Sequence, residues 1–210
     1  MWNTDERPKR ISKKDVYKRI CYFYTEEQII FMEDLQKHFP DNYYKSLKKC
    51  VASLITDKKL FRVEDGIYTL SSRTISPEDL LREKYLIRNG VRIGIHDSKT
   101  LAYEMNLSTE RPDTIYIMTN KESRTHGRKR TINGFSVHIR GNNILINDDN
   151  YKYIMVLEAI KYCWHYNSRH IDRIPQFIKD NRLSLQMFMS LLPSYTKNVQ
   201  KQFNSIWRNV

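Results

Sequence analysis

The sequence predicts an α+β fold in two parts. Apolar residues recur at helical spacing through the first sixty residues, which end in two β-prone runs about Asp65-Gly66. A Ser/Thr/Pro-containing stretch, "SSRTISPED" (71–79), then breaks the pattern. Beyond it, alternating runs over about 90–146 give way to apolar helical spacing over about 150–208. These features set a first domain at 1–72 and a second at 76–210, the second with a small sheet followed by a helical tail.

In "SKKDVYKRICYFY" (12–24), Val16, Ile20 and Phe23 fall at helical spacing, with Ser12 placed to cap. "EQIIFM" is short and β-prone, and it leads into "EDLQKHFP", where Leu35 and Phe39 stand four apart and Pro40 ends the helix. Asp41 is placed to cap a third helix, "NYYKSLKKCVASLITD". Its Leu47, Cys50, Val51 and Leu54 make one apolar stripe, and Lys45, Lys48 and Lys49 share the opposite side. "KLFRV" and "GIYTL" flank Glu64-Asp65-Gly66, a strong hairpin signal. Helix, short strand, helix, helix, hairpin is the order of a winged helix-turn-helix, whose third helix enters the DNA major groove beside the hairpin wing. The candidate DNA-binding residues are therefore Tyr43, Tyr44, Lys45, Lys48 and Lys49 on the third helix, and Arg62 on the wing.

Composition agrees with a polyanionic partner. The chain has 210 residues and a formal charge of +12. Residues 1–75 hold 15 Lys+Arg against 11 Asp+Glu, and residues 76–210 hold 21 against 13, so both halves are basic. Cys21, Cys50 and Cys163 are too few and too far apart for a disulfide framework or a zinc site, and are expected as small buried apolar residues. The amino terminus, "MWNTDERPKR", reads as charged and unlike a secretory signal, and no apolar run has membrane-spanning length. The expected location is the cytoplasm, with no membrane partner.

In the second part a short helix is expected at 77–87, then "GVRIGI" as a strand. "DSKTLAYEMNL" is expected as a helix with Asp97 or Ser98 at its start. "ERPDTIYIMTN" gives a second strand and "GFSVHIR" a third, with Phe135, Val137 and Ile139 alternating. "YKYIMVLEAIKYCWHYN" presents Ile154, Leu157, Ile160 and Trp164 on one side, and further helices follow, broken at Pro193.

The order from "DGIYTL" through "GIHDSKTLAYEMNLSTERPDTIYIMTN", a basic turn and "FSVHIRGNNI" resembles the AbiEi family of bacterial antitoxins from abortive-infection systems, over roughly residues 12–145. The motifs carrying it are "TLAYEMNL", an "ST-x-x-P" turn and the strand end "IYIMTN". The resemblance implies an antitoxin of a type IV system. Its winged helix would bind inverted repeats in its own promoter, and its second domain would counteract a cognate nucleotidyltransferase-like toxin, with which it need not form a stable complex. The alternative is a stand-alone winged-helix transcriptional regulator whose second domain senses a ligand or dimerises.

No enzymatic constellation stands out. Cys163 and His165 straddle opposite faces of a helix, so Cys163, His165 and His170 read as packing residues and not as metal ligands. His96-Asp97-Ser98 cannot converge as a triad, because neighbours in sequence do not meet as nucleophile, base and orienter. There is no phosphate-cradling glycine motif, and neither a cofactor nor a metal is expected. The densest basic run, "SRTHGRKRTI" (123–132), is expected as the loop and first strand of a hairpin-like turn. Lys121, Arg124, Arg128, Lys129, Arg130 and Arg140 then form an auxiliary basic surface facing DNA, RNA or the toxin.

Overall fold

The protein is mixed α+β, with several small sheets. The computed structural model describes residues 11–40, 43–132, 134–166, 168 and 170–210. Two compact units divide the chain, Met1–Ser76 and Pro77–Val210. Among the described residues, no helix is long and apolar enough to cross a membrane.

The first unit runs α1 (Lys13–Phe23), β1 (Ile30–Phe31), α2 (Met32–Gln36), α3 (Tyr44–Thr56), β2 (Phe61–Glu64) and β3 (Ile67–Thr69). Ser12 caps α1, accepting from the Asp15 backbone N–H at 3.1 Å. The three strands pair antiparallel in the order β1-β3-β2, and Gly66, at φ +72°, makes the turn between β2 and β3. Val16 and Ile20 of α1 pack with Leu35, and with Leu47, Val51 and Leu54 of α3, in one apolar core. Burying each such side chain stabilises by about 1.5–3 kcal/mol. The proposed Asp41 cap lies outside the described residues, and Tyr43 occupies the N-cap position without a side-chain hydrogen bond. Cys163 is buried, but Cys50 is only half-buried and Cys21 is exposed, so the expectation of three buried cysteines fails at Cys21.

The second unit is built on a four-stranded sheet of order β6-β7-β9-β8: β6 (Gly94–His96), β7 (Thr114–Thr119), β9 (Phe135–Arg140) and β8 (Arg128–Ile132). β7 and β9 are parallel, and the other two pairings are antiparallel. The chain therefore leaves β7, crosses the end of β9, descends the far edge as β8 and returns by a hairpin. Both faces are covered. Leu81 and Leu86, on or just after α4 (Pro77–Tyr85), pack with Ile117, Val137 and Ile139 on one side. On the other, Ile95 and Met118 meet α5 (Ser98–Glu104) and a helical tail of α6 (Tyr151–Tyr166), α7 (Arg173–Asp180), α8 (Leu185–Leu191) and α9 (Lys197–Trp207). Pro193 sits in a 3₁₀ turn between the last two. Ile154, Leu157 and Ile160 are buried as expected, whereas Trp164 is half exposed.

One expected strand is divided. "GVRIGI" holds the second arm of a tight hairpin, β4 (Ile87–Arg88) with β5 (Val91–Arg92), followed by β6. Asn89 and Gly90 both have positive φ, as a two-residue hairpin turn requires. Close packing follows at Gly94, where a Cβ would lie 2.0 Å from the Tyr85 carbonyl oxygen.

The "IYIMTN" strand end has a structural reason. The Thr119 hydroxyl donates to the Ile93 carbonyl at 3.0 Å. The Asn120 amide donates to the Ile146 carbonyl at 2.7 Å and accepts from the Ile146 N–H at 2.9 Å, tying β7 to the segment before α6.

Arg140 departs most from expectation. It lies in the interior, its side chain 15% exposed, and not on a basic surface. Its guanidinium forks onto Asp97, with the Nη2 bond at 2.9 Å, and reaches Glu158 Oε2 at 2.8 Å. Asp97 does precede α5, but its carboxylate makes no capping bond, being taken by Arg140. Removing one partner of such a buried network leaves charge uncompensated. Arg140→Ala should therefore destabilise the second unit by about 3–5 kcal/mol. Thermal or denaturant unfolding reads this directly, and a loss under about 1 kcal/mol would contradict the assignment.

Candidate nucleic-acid interface

Helical geometry divides α3 into two faces. Leu47, Val51 and Leu54 are buried, while Lys45, Lys48, Lys49 and Ala52 are exposed along the opposite side. The three ammonium groups thus flank a small residue, so a phosphate backbone or groove edge can approach the helix closely. Ala52 was not among the sequence candidates; its spacing of seven from Lys45 was the available signal. Lys48 Nζ lies 4.4 Å from the centroid of the half-buried Tyr44 ring. Contact with the Tyr44 side chain, above all, holds the Lys48 pKa above its usual value. Tyr43 is also half-buried.

The β2–β3 turn is less basic than the helix. Arg62 is exposed but pairs with Asp65 at 2.7 Å, and Glu64 lies beside them in sequence. A surface pair of this kind contributes about 0–1 kcal/mol, so the guanidinium can exchange Asp65 for a phosphate at little cost.

The structure does not hold the six auxiliary cations together as one surface. Lys121, Arg124, Lys129 and Arg130 are exposed. Arg128 is half-buried and pairs with Glu122 Oε2 at 2.6 Å. Arg140 is interior, as described. The basic run does lie on a loop and a strand, with β8 at the edge of the sheet, paired to β9 from Arg128↔Ile139 to Ile132↔Phe135.

Glu122 shapes that loop and was missed by sequence reasoning. Its carboxylate, 7% exposed, accepts from the backbone N–H of Ser123 at 3.1 Å and of Arg124 at 3.2 Å, besides holding Arg128. The Arg124 carbonyl in turn accepts from Gly141 N–H at 2.8 Å, where the loop crosses the end of β9. Gly141 is required there, because a Cβ would lie 2.1 Å from the Glu122 carbonyl oxygen. A lone acid just before a basic run was the signal in the sequence.

The expected packing trio of Cys163, His165 and His170 is dispersed: Cys163 is buried, His165 exposed and His170 half-buried. Burial pushes the Cys163 thiol up to about 11, which keeps it protonated and unreactive at neutral pH. Among the described residues, no group of three or more His, Cys, Asp or Glu side chains is placed to hold a metal ion. His96 Nδ1, at the end of β6, lies 2.6 Å from Glu104 Oε1 at the end of α5. Comparison of the chain with family models and with curated proteins finds no match.

The Glu122 pKa follows from opposing causes. Burial raises it, but the Arg124 N–H and the Arg128 guanidinium outweigh burial and hold it below the usual carboxylate value. A depressed folded-state pKa gives stability that is present above the unfolded value, near about 4.3, and is lost as pH falls through the folded one. Glu122→Gln should therefore cost about 1–3 kcal/mol at pH 7. The gap between variant and wild type should close as pH falls below about 4. A gap that widened with acid would be the wrong sign.

Proposed function

We propose that this protein is a DNA-binding autorepressor and antitoxin of the AbiEi kind. On this reading the first unit is a winged helix-turn-helix with α3 as its groove-reading helix and the β2–β3 turn as its wing. It binds operator inverted repeats in double-stranded DNA. The second unit counteracts a nucleotidyltransferase-like toxin, functionally and without need of a stable complex, in the cytoplasm. The observation that carries the DNA-binding part is the lysine stripe of α3, which faces solvent while the opposite face is locked to α1. A B-DNA major groove about 12 Å wide admits such a helix, and ammonium groups along it meet phosphates. The antitoxin part rests on the motif resemblance alone.

The alternative is a stand-alone regulator whose second unit senses a ligand or dimerises, and a cleft in that unit, described below, favours the ligand-sensing form. Both readings share the DNA-binding unit. Growth of cells co-expressing an adjacent nucleotidyltransferase-like gene separates them: rescue supports the antitoxin, and unrelieved toxicity supports the regulator.

The test of DNA binding is the salt dependence of operator affinity. Each phosphate contact contributes about 0.9 to the slope of log K against log salt. Replacing Lys45, Lys48 and Lys49 by Ala should therefore flatten the slope by about 2–3. An unchanged slope removes α3 from the interface.

The edge strand gives a separate test, narrowed to residues that do not support the fold. Lys129→Ala with Arg130→Ala removes two exposed charges and should change stability by within about 0.5 kcal/mol. Arg128 is excluded because it holds Glu122. Lost toxin rescue with intact operator binding assigns the strand to antitoxin action, and the reverse assigns it to DNA. Retention of both leaves β8 a solvated edge.

A further inference from the structure

We propose that a cleft in the second unit binds a single nucleotide, with its base on tyrosine rings and its phosphate between Lys99 and Arg111. The cleft, about 260 Å³, is lined by Lys99 of α5, Arg111 before β7, Tyr116 of β7, and Tyr162 and Tyr166 near the end of α6. Tyr162 and Tyr166 stand four apart on one helix, so their rings meet, with centroids 4.6 Å apart and planes 37° to each other. Tyr166 is 48% exposed, which leaves a large aromatic surface open at the mouth. Open ring faces are poorly satisfied by water and well satisfied by a flat heterocycle, at about 1–3 kcal/mol per stacked base.

The polar groups narrow the class. Lys99 and Arg111 are exposed and in no ion pair among the described residues. Glu110 and Asp113 line the same cleft and offer acceptors for ribose hydroxyls or an exocyclic amine. Glu110 and Asp113 offset the two cations, so the cleft has no net charge to hold a triphosphate, and a single phosphate is limited to direct contact with Lys99 and Arg111. The volume lies just below the about 300 Å³ where ligand pockets commonly begin, which suits one nucleotide and excludes two.

The sheet extends the site on one side. Tyr116, His138 and Lys129 stand in register across β7, β9 and β8. The Tyr116 and His138 rings are 5.5 Å apart, and His138 Nδ1 is buried without a hydrogen-bond partner. This row leads from the cleft to the basic edge. The nucleotide can therefore be free or the terminal residue of a strand whose next phosphates follow the row. The inference stands independently of the antitoxin reading, since it concerns neither α3 nor a toxin.

Calorimetric titration of the full chain tests it, using the four ribonucleoside 5′-monophosphates, their nucleosides and triphosphates, and a single-stranded oligoribonucleotide. At least one monophosphate should bind saturably, and at least about tenfold more tightly than its nucleoside, the worth of one charge-assisted hydrogen bond. Lys99→Ala with Arg111→Ala should erase that preference, and Tyr166→Ala should weaken nucleotide and nucleoside alike. All three positions are exposed, so an unchanged melting temperature and unchanged operator binding would certify each variant. An oligonucleotide that binds more tightly than any monophosphate, and loses affinity with Tyr166→Ala and with Lys129→Ala, makes the source a strand end. No saturable binding of monophosphate or oligonucleotide overturns the proposal, as does binding that all the cleft variants leave intact.

Discussion

The second unit depends on what Arg140 holds together. Its guanidinium joins the end of β9 to Asp97 at the entrance of α5 and to Glu158 in the middle of α6. Burial disfavours the charged guanidinium, but hydrogen bonds to Asp97 and the charge of Glu158 outweigh that cost. Two carboxylates facing one guanidinium would leave an excess negative charge, and Lys161, 3.3 Å from Glu158, offsets it from the rim. Tyr195 closes the cluster. Burial, then the charge of Glu158, holds its phenol well above the ordinary value, so it stays neutral, although its hydroxyl makes no hydrogen bond of good geometry. Apolar contacts between sheet and helices would tolerate sliding; this fork fixes strand end, helix start and tail in one arrangement.

That network explains where sequence reading succeeded and where it failed. Local periodicity made α1, α3, β7, β9 and α6 legible, because each needs only its own apolar spacing. The Asn89-Gly90 turn was equally local, yet the apolar run "GVRIGI" masked it as one strand. Arg140 and Asp97 are different. In sequence the first reads as part of a basic patch and the second as a helix cap, and only their meeting across 43 residues shows the ion pair. Arg128 fails for the same reason at shorter range, since its partner Glu122 precedes the basic run that drew attention. Apolar side chains announce burial by type, whereas a charged one is buried only where a partner exists. The α3 stripe was legible because exposed lysines on a helix need no partner.

The charge of +12 is correspondingly not one patch. Some cations are consumed internally, as Arg128 and Arg140 are, and Lys13 is spent on Asp57, tying α1 to the end of α3 at 2.6 Å. The exposed cations that remain include the α3 lysines in one unit, and Arg124, Lys129, Arg130 and the cleft pair Lys99 and Arg111 in the other. Counting charges therefore overstates any one interface, because paired cations contribute little at a distance.

The edge strand β8 shows why the remaining cations need not have a single purpose. An edge strand offers unpaired backbone donors and acceptors, and exposed Lys and Arg along it discourage pairing with another sheet. Lys129 and Arg130 satisfy that requirement in any folded copy of this chain. The requirement is one of sign and exposure only. It does not ask that Lys129 stand in register with His138 and Tyr116, nor that this row end at an aromatic cleft. Protection against aggregation therefore accounts for the charges on β8, and leaves the row's alignment with the cleft to the proposed nucleotide site.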